Sequence, residues 1–373
     1  MTQTSNTARP DQLAGWLLGY TSVRDLSAAG MLTGTHPRSG LVVRGRGCVE
    51  EVARHRNAGW TQLLGIDPGF WSHEQATPDR PMGLPSRDGL FEITLDAWAA
   101  NTVAQGADVV LTPSLFVAEA DWDSLRAVLR SGQATDRDEV RTLVPTDASM
   151  LERAHLPRLV ELLFELSGRW PLAFAFAGRR EPLARLDRAA GLRTLLARHP
   201  GSLVIAVDVL AGTDVVAHGG GGAIGVVSSL RRPTRPGDPG GPPANGFVPG
   251  LFLRDLWETR SPSTYTDWFA NSPSPTCPDC GGRAMDNFTD HPLDKQQILR
   301  HNLHAWLSVL TQITRRHPAA RRDWLNTERR RAFAAHLELR PIRATMNADK
   351  LLRALCELDD PQQRRTTPTG SWR

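Results

Sequence analysis

The sequence predicts an α/β protein built as a TIM-type (β/α)8 barrel, followed by a Cys/His-containing segment and C-terminal helices. Short apolar runs alternate with amphipathic helical patterns along most of the first 230 residues. The runs are continuously apolar, which is typical of strands buried on both faces of a parallel sheet. With 373 residues, the chain is long enough for one barrel and an appendage. An open doubly wound sheet is the alternative.

Five apolar runs are the predicted strands: 60–67, 107–114, 170–178, 202–209 and 222–229. Three amphipathic stretches between them are the predicted helices: 94–106, 156–169 and 187–201. The Pro/Gly-rich segment 231–250 can form neither a helix nor a central strand, so we expect a long loop there. The expected organisation is a disordered N-terminus (1–10), the barrel (11–270), a Cys/His segment closing onto it (271–310), basic helices (311–358) and a disordered tail (359–373).

Charge, cysteine content and the length of apolar runs indicate which ligands and which cellular location to expect. The formal net charge is only +4, but arginines cluster between residues 315 and 333. Such a run is either a solvated helix face or a phosphate-binding surface. Four cysteines are too few for a disulfide scaffold, and no N-terminal apolar stretch is typical of a secretion signal. No run approaches the roughly 20 apolar residues of a membrane span, so we expect a cytoplasmic protein without a membrane partner.

Polar residues follow several predicted strands, where barrel enzymes place their reactive groups. Two are carboxylates, Asp67 and Asp208, which are candidates for acid/base or nucleophilic catalysis. The candidate substrate-binding residues at these strand ends are Thr112, Ser114, Gly178, Arg179, Ser228 and Arg231. The alternative for each Asp alone is that it caps the helix after its strand.

Several segments together resemble the tRNA-guanine transglycosylases and their DNA-modifying relatives, over roughly residues 60–310. "LLGIDPGFWS" is similar to the family strand that ends in Asp-Ser-Gly-Gly-Phe, and "PLAFAFAGRRE" to its "GLAVGE" strand. "VIAVDVLAGTDVVAHGGGGAIGVVSSLR" aligns without a gap with the family's nucleophile segment, and "RHNLHAWL" is close to its zinc-binding "HNLHFYL". The resemblance implies a (β/α) barrel that exchanges guanine in a nucleic acid for a 7-deazaguanine.

The resemblance also shows where this chain departs from the family. Asp67 matches the family's general acid/base, Gly178 its "GLAVGE" glycine, and Arg231 the arginine that closes the nucleophile segment. The nucleophilic Asp falls on Gly225, which cannot form a covalent intermediate, and the guanine-reading Asp falls at about position 111 or 112. Because adjacent parallel strands lie about 4.8 Å apart, Asp208 on the neighbouring strand could replace the nucleophile. The hypothesis is that Asp208 and Asp67 form the working pair.

The Cys/His segment predicts a zinc-binding insertion with a structural role. Cys277 and Cys280 match two family cysteines, and His301 matches the family histidine, while Pro275 replaces the first cysteine. Structural zinc takes four ligands, and His304, one helical turn after His301, is the first candidate for the missing one. His291, Asp279 and Cys48 are alternatives. Without the resemblance, the cysteine pair could also be buried thiols or a redox pair.

The expected function is base exchange in a nucleic acid, in DNA more than in tRNA, through a carboxylate–ribose ester. Expected partners are that nucleic acid and a deazaguanine base, with a second copy of the chain or a modification subunit as a possible protein partner. The first alternative is a catalytically silent, nucleic-acid-binding barrel subunit, which the glycine at position 225 favours. The second is a barrel hydrolase or lyase that acts on a small molecule.

Overall fold

Eight parallel strands form a closed barrel in chain order in the computed structural model, which confirms the predicted barrel. The structure describes residues 13–33, 36–84, 93–167, 172–179, 181–238, 250–277, 280–339 and 347–360. The barrel strands are β1 (Leu17–Ser22), β2 (Gly40–Arg44), β3 (Leu63–Asp67), β4 (Val109–Leu111), β5 (Val140–Asp147), β6 (Leu172–Ala177), β7 (Leu203–Val207) and β8 (Gly221–Gly225). Strand β8 pairs with β1 and closes the barrel.

Helices surround the barrel in the order expected of a (β/α)8 fold. Seven of them follow the first seven strands: α1 (Leu26–Thr33), α2 (Cys48–Asn57), α3 (Leu95–Ala104), α4 (Trp122–Gly132), α5 (Leu156–Ser167), α6 (Leu186–Arg198) and α7 (Val209–Ala217). The eighth place is taken by α9 (Lys295–Thr314), which packs against α1 and α7. The Cys/His segment that precedes α9 is therefore an insertion between the last barrel strand and the last barrel helix.

The remaining elements lie after β8. They are the hairpin β9 (Leu251–Leu253) and β10 (Glu258–Arg260), helix α8 (Pro262–Trp268), the hairpin β11 (Thr276–Cys277) and β12 (Arg283–Ala284), and helices α10 (Pro318–Leu339) and α11 (Lys350–Asp359). The predicted disordered N-terminus, and the tail beyond residue 360, lie outside the described residues. Among the described residues, no helix combines the length and the apolar character that crossing a membrane requires.

Side-chain size alternates along strand β6 because successive residues face opposite sides of the sheet. Ala173, Ala175 and Ala177 point into the barrel interior, where the cluster of buried residues also includes Leu18 and Ile205. The larger side chains between them pack against the outer helices: Leu172, Phe174 and Phe176. Small inward residues leave room for side chains from the opposite strands, so the barrel is filled rather than open.

A buried ion network attaches α10 and α11 to the barrel helices. Asp214 on α7 accepts hydrogen bonds from Arg193 on α6 and from Arg329 on α10, at 2.8 Å each. Arg193 also donates to Asp359, the last residue of α11, at 2.7 Å. Despite its burial, these guanidinium groups hold the pKa of Asp214 below its usual range. Charges buried at this depth need such partners, so the network fixes where α11 lies.

Candidate functional site

A cavity of about 890 Å³ opens at the carboxyl end of the barrel strands, where the sequence predicts the reactive groups. Its walls come from the ends of β1, β2, β3, β7 and β8, from the β9–β10 hairpin, and from the residue before α11. Five arginines and three aspartates line it: Arg44, Arg231, Arg232, Arg235, Arg260, Asp208, Asp238 and Asp349. The excess of guanidinium groups makes this cavity suited to an anionic ligand.

Asp208 lies in this cavity at a distorted strand end. The pairing of β7 with β8 is irregular between Val204 and Val207, and Ala206 has a φ of 58°. A left-handed conformation at alanine is strained and persists where surrounding structure enforces it, often beside functional groups. The irregularity sets the direction in which the next residues leave the strand. Ala206 itself also lines the cavity.

The carboxyl group of Asp208 has two roles that the sequence left as alternatives. Its Oδ1 accepts a hydrogen bond from the backbone N–H of Ala211 at 2.8 Å, so Asp208 is the N-cap of α7. The side chain is nevertheless part of the cavity wall. Burial, and next the negative charge of Asp349, raise the pKa of Asp208 to about 6, against the opposing effect of Arg232 and Arg231. Capping and chemistry are therefore compatible at this residue.

Asp349 is the second carboxylate near Asp208, and sequence reasoning missed it. It is 8% exposed, caps α11 by accepting from Leu351 N–H at 2.7 Å, and lines the same cavity. Its own backbone N–H donates to Glu258 at 2.8 Å. In the sequence, Asp349 is marked only by the helix start "ADK" (348–350), and this residue follows no barrel strand. An aspartate N-cap is too common a feature to predict a catalytic site.

Glu258 lies behind Asp349 and is fully buried. Its carboxyl group lies 2.6 Å from Nε of Arg260 and 3.5 Å from Nε2 of His336 on α10, and burial lowers the pKa of that histidine. Burial, and next the charge of Asp349, raise the pKa of Glu258 to about 8. The carboxyl group therefore binds a proton over much of the neutral range, which limits the negative charge that accumulates around Asp349.

Arg231 is oriented towards the cavity by the backbone of β8. Its Nε donates to the carbonyl of Gly225 at 2.8 Å, and its guanidinium group lies over the Trp306 ring at 5.3 Å. The side chain is 5% exposed, and its Nη1 has no hydrogen-bond partner among the described residues. Burial lowers the pKa of Arg231 to about 10, so the group remains a cation at neutral pH. A buried donor without a partner is costly, and an anionic ligand would supply one.

Gly225, at the end of β8, is packed against backbone. A Cβ atom at this position would lie 2.4 Å from the carbonyl carbon of Leu230 and 2.6 Å from the backbone nitrogen of Arg231. Backbone cannot rotate away as a flexible side chain can, so no larger residue fits without displacing the segment 230–231. The position that the resemblance gives to the family nucleophile therefore admits glycine alone in this chain.

Asp67 is not part of the cavity lining. It is fully buried at the end of β3, and it accepts hydrogen bonds from Tyr20 Oη at 2.5 Å, Gly69 N–H at 2.8 Å and Trp71 Nε1 at 3.1 Å. Tyr20 and Trp71 themselves line the cavity. Strands β3 and β7 also lie on opposite sides of the eight-stranded barrel. The hypothesised Asp67–Asp208 pair thus has Asp208 in the cavity and Asp67 behind its wall.

The candidate substrate-binding residues divide into two groups. Ser228 and Arg231 line the cavity, whereas the other four do not. Thr112 and Ser114 are buried and share a hydrogen bond of 2.8 Å between their hydroxyl oxygens. Gly178 is buried just after β6, and its N–H donates to the carbonyl of Pro233 at 3.1 Å, while Arg179 is exposed outside the cavity.

The predicted loop 231–250 contributes more to the site than the sequence indicated. Its first part, up to residue 238, lines the cavity, while residues 239–249 lie outside the described residues. Arg235 in this part forms an ion pair with Asp147, a buried residue at the end of β5. That pair holds the loop against the barrel mouth.

The arginine run late in the chain does not line the cavity. Arg329 belongs to the buried ion network, Arg330 pairs with Asp360 at 3.1 Å, and Arg331 pairs with Glu328 at 3.5 Å. Arg322 donates to the carbonyl of Ala217 at the end of α7, on the opposite end of the barrel from the strand carboxyl ends. Arg322 and Arg329 of this run therefore attach α10 to the barrel helix α7.

Three of the four predicted metal ligands come together. The ligand atoms of Cys277, Cys280 and His301 lie within 4.8 Å of one another, and this group could hold a metal ion. His301 Nε2 lies 2.7 Å from the carbonyl oxygen of Phe252, and its Nδ1 lies 3.4 Å from Cys280 Sγ. Donation from Nε2–H to the carbonyl leaves the Nδ1 lone pair facing the cysteines, as metal-binding histidines require.

His304, the predicted fourth ligand, is not in this group among the described residues, although it lies one turn from His301 on α9. The direction of the side chains explains this, since His301 turns towards the β9 backbone and the cysteines. Cys48 is buried at the start of α2 near Asp67, and His291 is not in the group either. Asp279 lies outside the described residues.

The geometry thus assembles a cavity with two carboxylates, a buried arginine and a separate Cys2His group that could hold a metal. Comparison of the chain with family models and with curated proteins finds no match.

Proposed function

We propose that the chain is a transglycosylase-like enzyme that exchanges a guanine-type base in a nucleic acid for a 7-deazaguanine. The observation that carries this proposal is the position of Asp208. Its carboxyl group faces a cavity large enough for a nucleotide, between a second carboxylate and a buried arginine. Two carboxylates beside an anion-binding group are the arrangement that displacement at an anomeric carbon uses.

In the proposed reaction, Asp208 attacks C1′ of the pentose while the bond from C1′ to the base breaks. The electron pair of that bond goes to the departing base, which takes a proton from water, and an ester forms between Asp208 and C1′. The incoming base then gives its N–H proton to the hydroxide left by that water and attacks C1′, which releases Asp208, while the Asp349 carboxylate stabilises the positive charge that develops on the sugar. A pKa of about 6 leaves Asp208 mainly ionised at neutral pH and more basic than an ordinary aspartate.

The pair in this proposal is Asp208 with Asp349, in place of Asp208 with Asp67. The contacts of Asp67 support a positioning role, since it holds Tyr20 and Trp71 in the cavity wall. Arg231 would bind a phosphate of the substrate through its Nη1. The nucleotide must leave the base stack to enter the cavity, as in other enzymes that act on bases. DNA is the preferred polymer because the nucleophile segment and the cysteine pattern both depart from the tRNA enzymes.

The metal proposed for the Cys2His group is zinc, with a structural role. Two thiolates and an imidazole are a ligand set that Zn²⁺ prefers. The group connects the β11–β12 hairpin to α9 and lies next to the β9 backbone through His301. When bound, the ion supplies cross-linking of this insertion to the barrel. None of the proposed catalytic residues belongs to it.

A second candidate function is a catalytically silent, nucleic-acid-binding barrel subunit. The packing of Gly225 favours it, because the family's nucleophile position cannot hold a carboxylate here. This candidate predicts binding of nucleic acid without a covalent intermediate.

The variant Asp208→Asn separates the two functions. Asparagine caps helices as well as aspartate does, so D208N keeps α7 capped while it removes the nucleophile. The assay measures incorporation of a labelled deazaguanine into DNA and RNA, together with a covalent protein–nucleic acid complex on a denaturing gel. We expect wild type to form the complex and D208N to lose it, with exchange reduced about 10³-fold or more.

The matched control is Asp255→Asn, which changes an exposed carboxylate outside the cavity lining. D255N should exchange bases at the wild-type rate. Exchange by D208N at the rate of D255N would remove Asp208 from the mechanism. Tight binding of nucleic acid by wild type with neither exchange nor a covalent complex would favour the silent subunit.

A further inference from the structure

A second groove, of about 360 Å³, runs from the cavity along the ends of strands β8, β1 and β2. The two share four wall residues: Arg44, Ser228, Ser229 and Leu230. They are therefore one continuous surface, with the groove leading out of the cavity. The remaining lining comes from the turns after β1 and β2, and from Lys295 at the start of α9.

The groove is strongly cationic. Among the described residues, four basic side chains line it, Arg24, Arg44, Arg46 and Lys295, against one carboxylate, that of Asp25. Lys295 already pairs with Asp25 at 2.8 Å. Arg24 and Arg46 are exposed, and within the part of the chain that the structure describes no acidic side chain pairs with either. Unpaired guanidinium groups that share one groove repel each other, so a polyanion would relieve that repulsion.

Arg44 connects the groove to the cavity. Its guanidinium group lies over the Trp71 ring at 5.2 Å, a cation–π contact that fixes its position at the junction. Ser228 and Ser229 add hydroxyl donors at the same junction. Cations and hydroxyl groups spaced along a groove are the contacts that proteins make with a nucleic-acid backbone.

We propose that this groove binds the phosphodiester backbone of the single-stranded segment next to the nucleotide held in the cavity. The inference rests on the proposed function in one respect, that the cavity takes a nucleotide of a polymer. A single strand is the expected form because the nucleotide in the cavity is out of its base stack, and sequence-independent binders of single strands use such basic grooves. A free phosphate or mononucleotide would occupy the cavity and leave the groove cations unpaired.

The test compares two double variants of equal charge. Arg24→Gln with Arg46→Gln removes two groove cations. Arg130→Gln with Arg198→Gln removes two exposed cations from the ends of α4 and α6, at the opposite end of the barrel. Fluorescence anisotropy measures the affinity of each full-length protein for 20-nucleotide single-stranded DNA and RNA of the same sequence, and for a mononucleotide, across a range of salt concentrations.

Each phosphate contact to a single strand contributes about 0.7 to the slope of log affinity against log salt. The groove variant should therefore show a slope about 1.4 less steep than wild type, and about 25-fold weaker strand binding at 0.1 M salt. Its affinity for the mononucleotide should not change, and the control variant should match wild type for every ligand. The polymer that wild type binds more tightly identifies the substrate strand.

Equal strand affinity and equal salt slope for the groove and control variants would overturn the inference, as would wild type that binds neither strand. This failure is distinct from failure of the proposed function, which D208N tests. D208N keeps Arg24 and Arg46, so its salt slope for the single strand should remain steeper than that of the groove variant. Base exchange that depends on Asp208 but not on the groove arginines would support the proposed function and contradict the proposed role of the groove.

Discussion

Substituting Gly225 tests whether the end of β8 can hold a side chain. In Gly225→Asp, the new Cβ atom would lie 2.4 Å from the carbonyl carbon of Leu230, 2.5 Å from its oxygen and 2.6 Å from Arg231 nitrogen. An ordinary contact starts near 3.4 Å, so the backbone of 230–231 would have to move by nearly 1 Å. Overpacking of a buried site costs about 1–3 kcal/mol. The upper end applies here because all three obstructing atoms are backbone, so we expect about 3 kcal/mol.

The same shift would move Arg231, whose Nε is bound to the carbonyl of Gly225. G225D should therefore lose anion binding as well as stability, even though it supplies the carboxylate that the family uses. Urea denaturation at equilibrium measures the stability, with the midpoint lowered and the m-value unchanged. Gly178→Ala is the matched control, since its Cβ would make only ordinary contacts, 3.5 Å or longer. G225D as stable as wild type, with restored or increased base exchange, would refute the packing argument.

Two further predictions concern the buried acid and the metal group. Glu258 has its pKa raised from 4.5 to about 8, so between these values the folded chain holds a proton that the unfolded chain has released. The free energy of unfolding should therefore fall as pH rises through this window, by on the order of 4 kcal/mol. Glu258→Gln should flatten this pH dependence, measured by urea titrations at several pH values. If the variant kept the pH dependence of wild type, the raised pKa of Glu258 would not be its cause. Cys280→Ser should lower bound zinc, measured by elemental analysis, and the thermal midpoint, whereas His304→Ala should retain the metal. Equal loss of zinc in both variants would indicate that His304 is also a metal ligand.

The barrel was predictable because five of its strands are continuously apolar. The predicted runs 60–67, 107–114, 170–178 and 202–209 contain the observed strands β3, β4, β6 and β7, and the run 222–229 overlaps β8 (Gly221–Gly225). The clearest missed strand is β5, "VRTLVPTD", which contains Pro145 and the fully buried Arg141. Proline and a charged residue argue against a central strand. Segment 140–147 is therefore recognisable as the central strand β5 only in the structure of the closed barrel.

The site was predictable only where a strand end carries its residue. Asp208 and Arg231 follow β7 and β8, and the alternation of strands and helices is enough to place both at the barrel mouth. Asp67 also follows a strand, but its carboxyl group accepts hydrogen bonds from Tyr20, Gly69 and Trp71 and is buried behind the cavity wall. Whether a strand-end carboxylate faces the cavity or its wall depends on side chains from other strands. The sequence pattern of β3 alone does not contain that information.

The position of Asp349 changes the role of the C-terminal helices. Among the residues that the structure describes, no barrel strand supplies a second carboxylate to the cavity beside Asp208, and α11 delivers one at its N-cap. At the other end of α11, Asp359 pairs with Arg193 and with Arg329 of α10. Arg329 in turn donates to Asp214. Glu258 of the β9–β10 hairpin holds the backbone N–H of Asp349 from the opposite side. A helix held at both ends by such contacts has little freedom to move its cap, so Arg329 of the late basic run acts on the site by positioning Asp349.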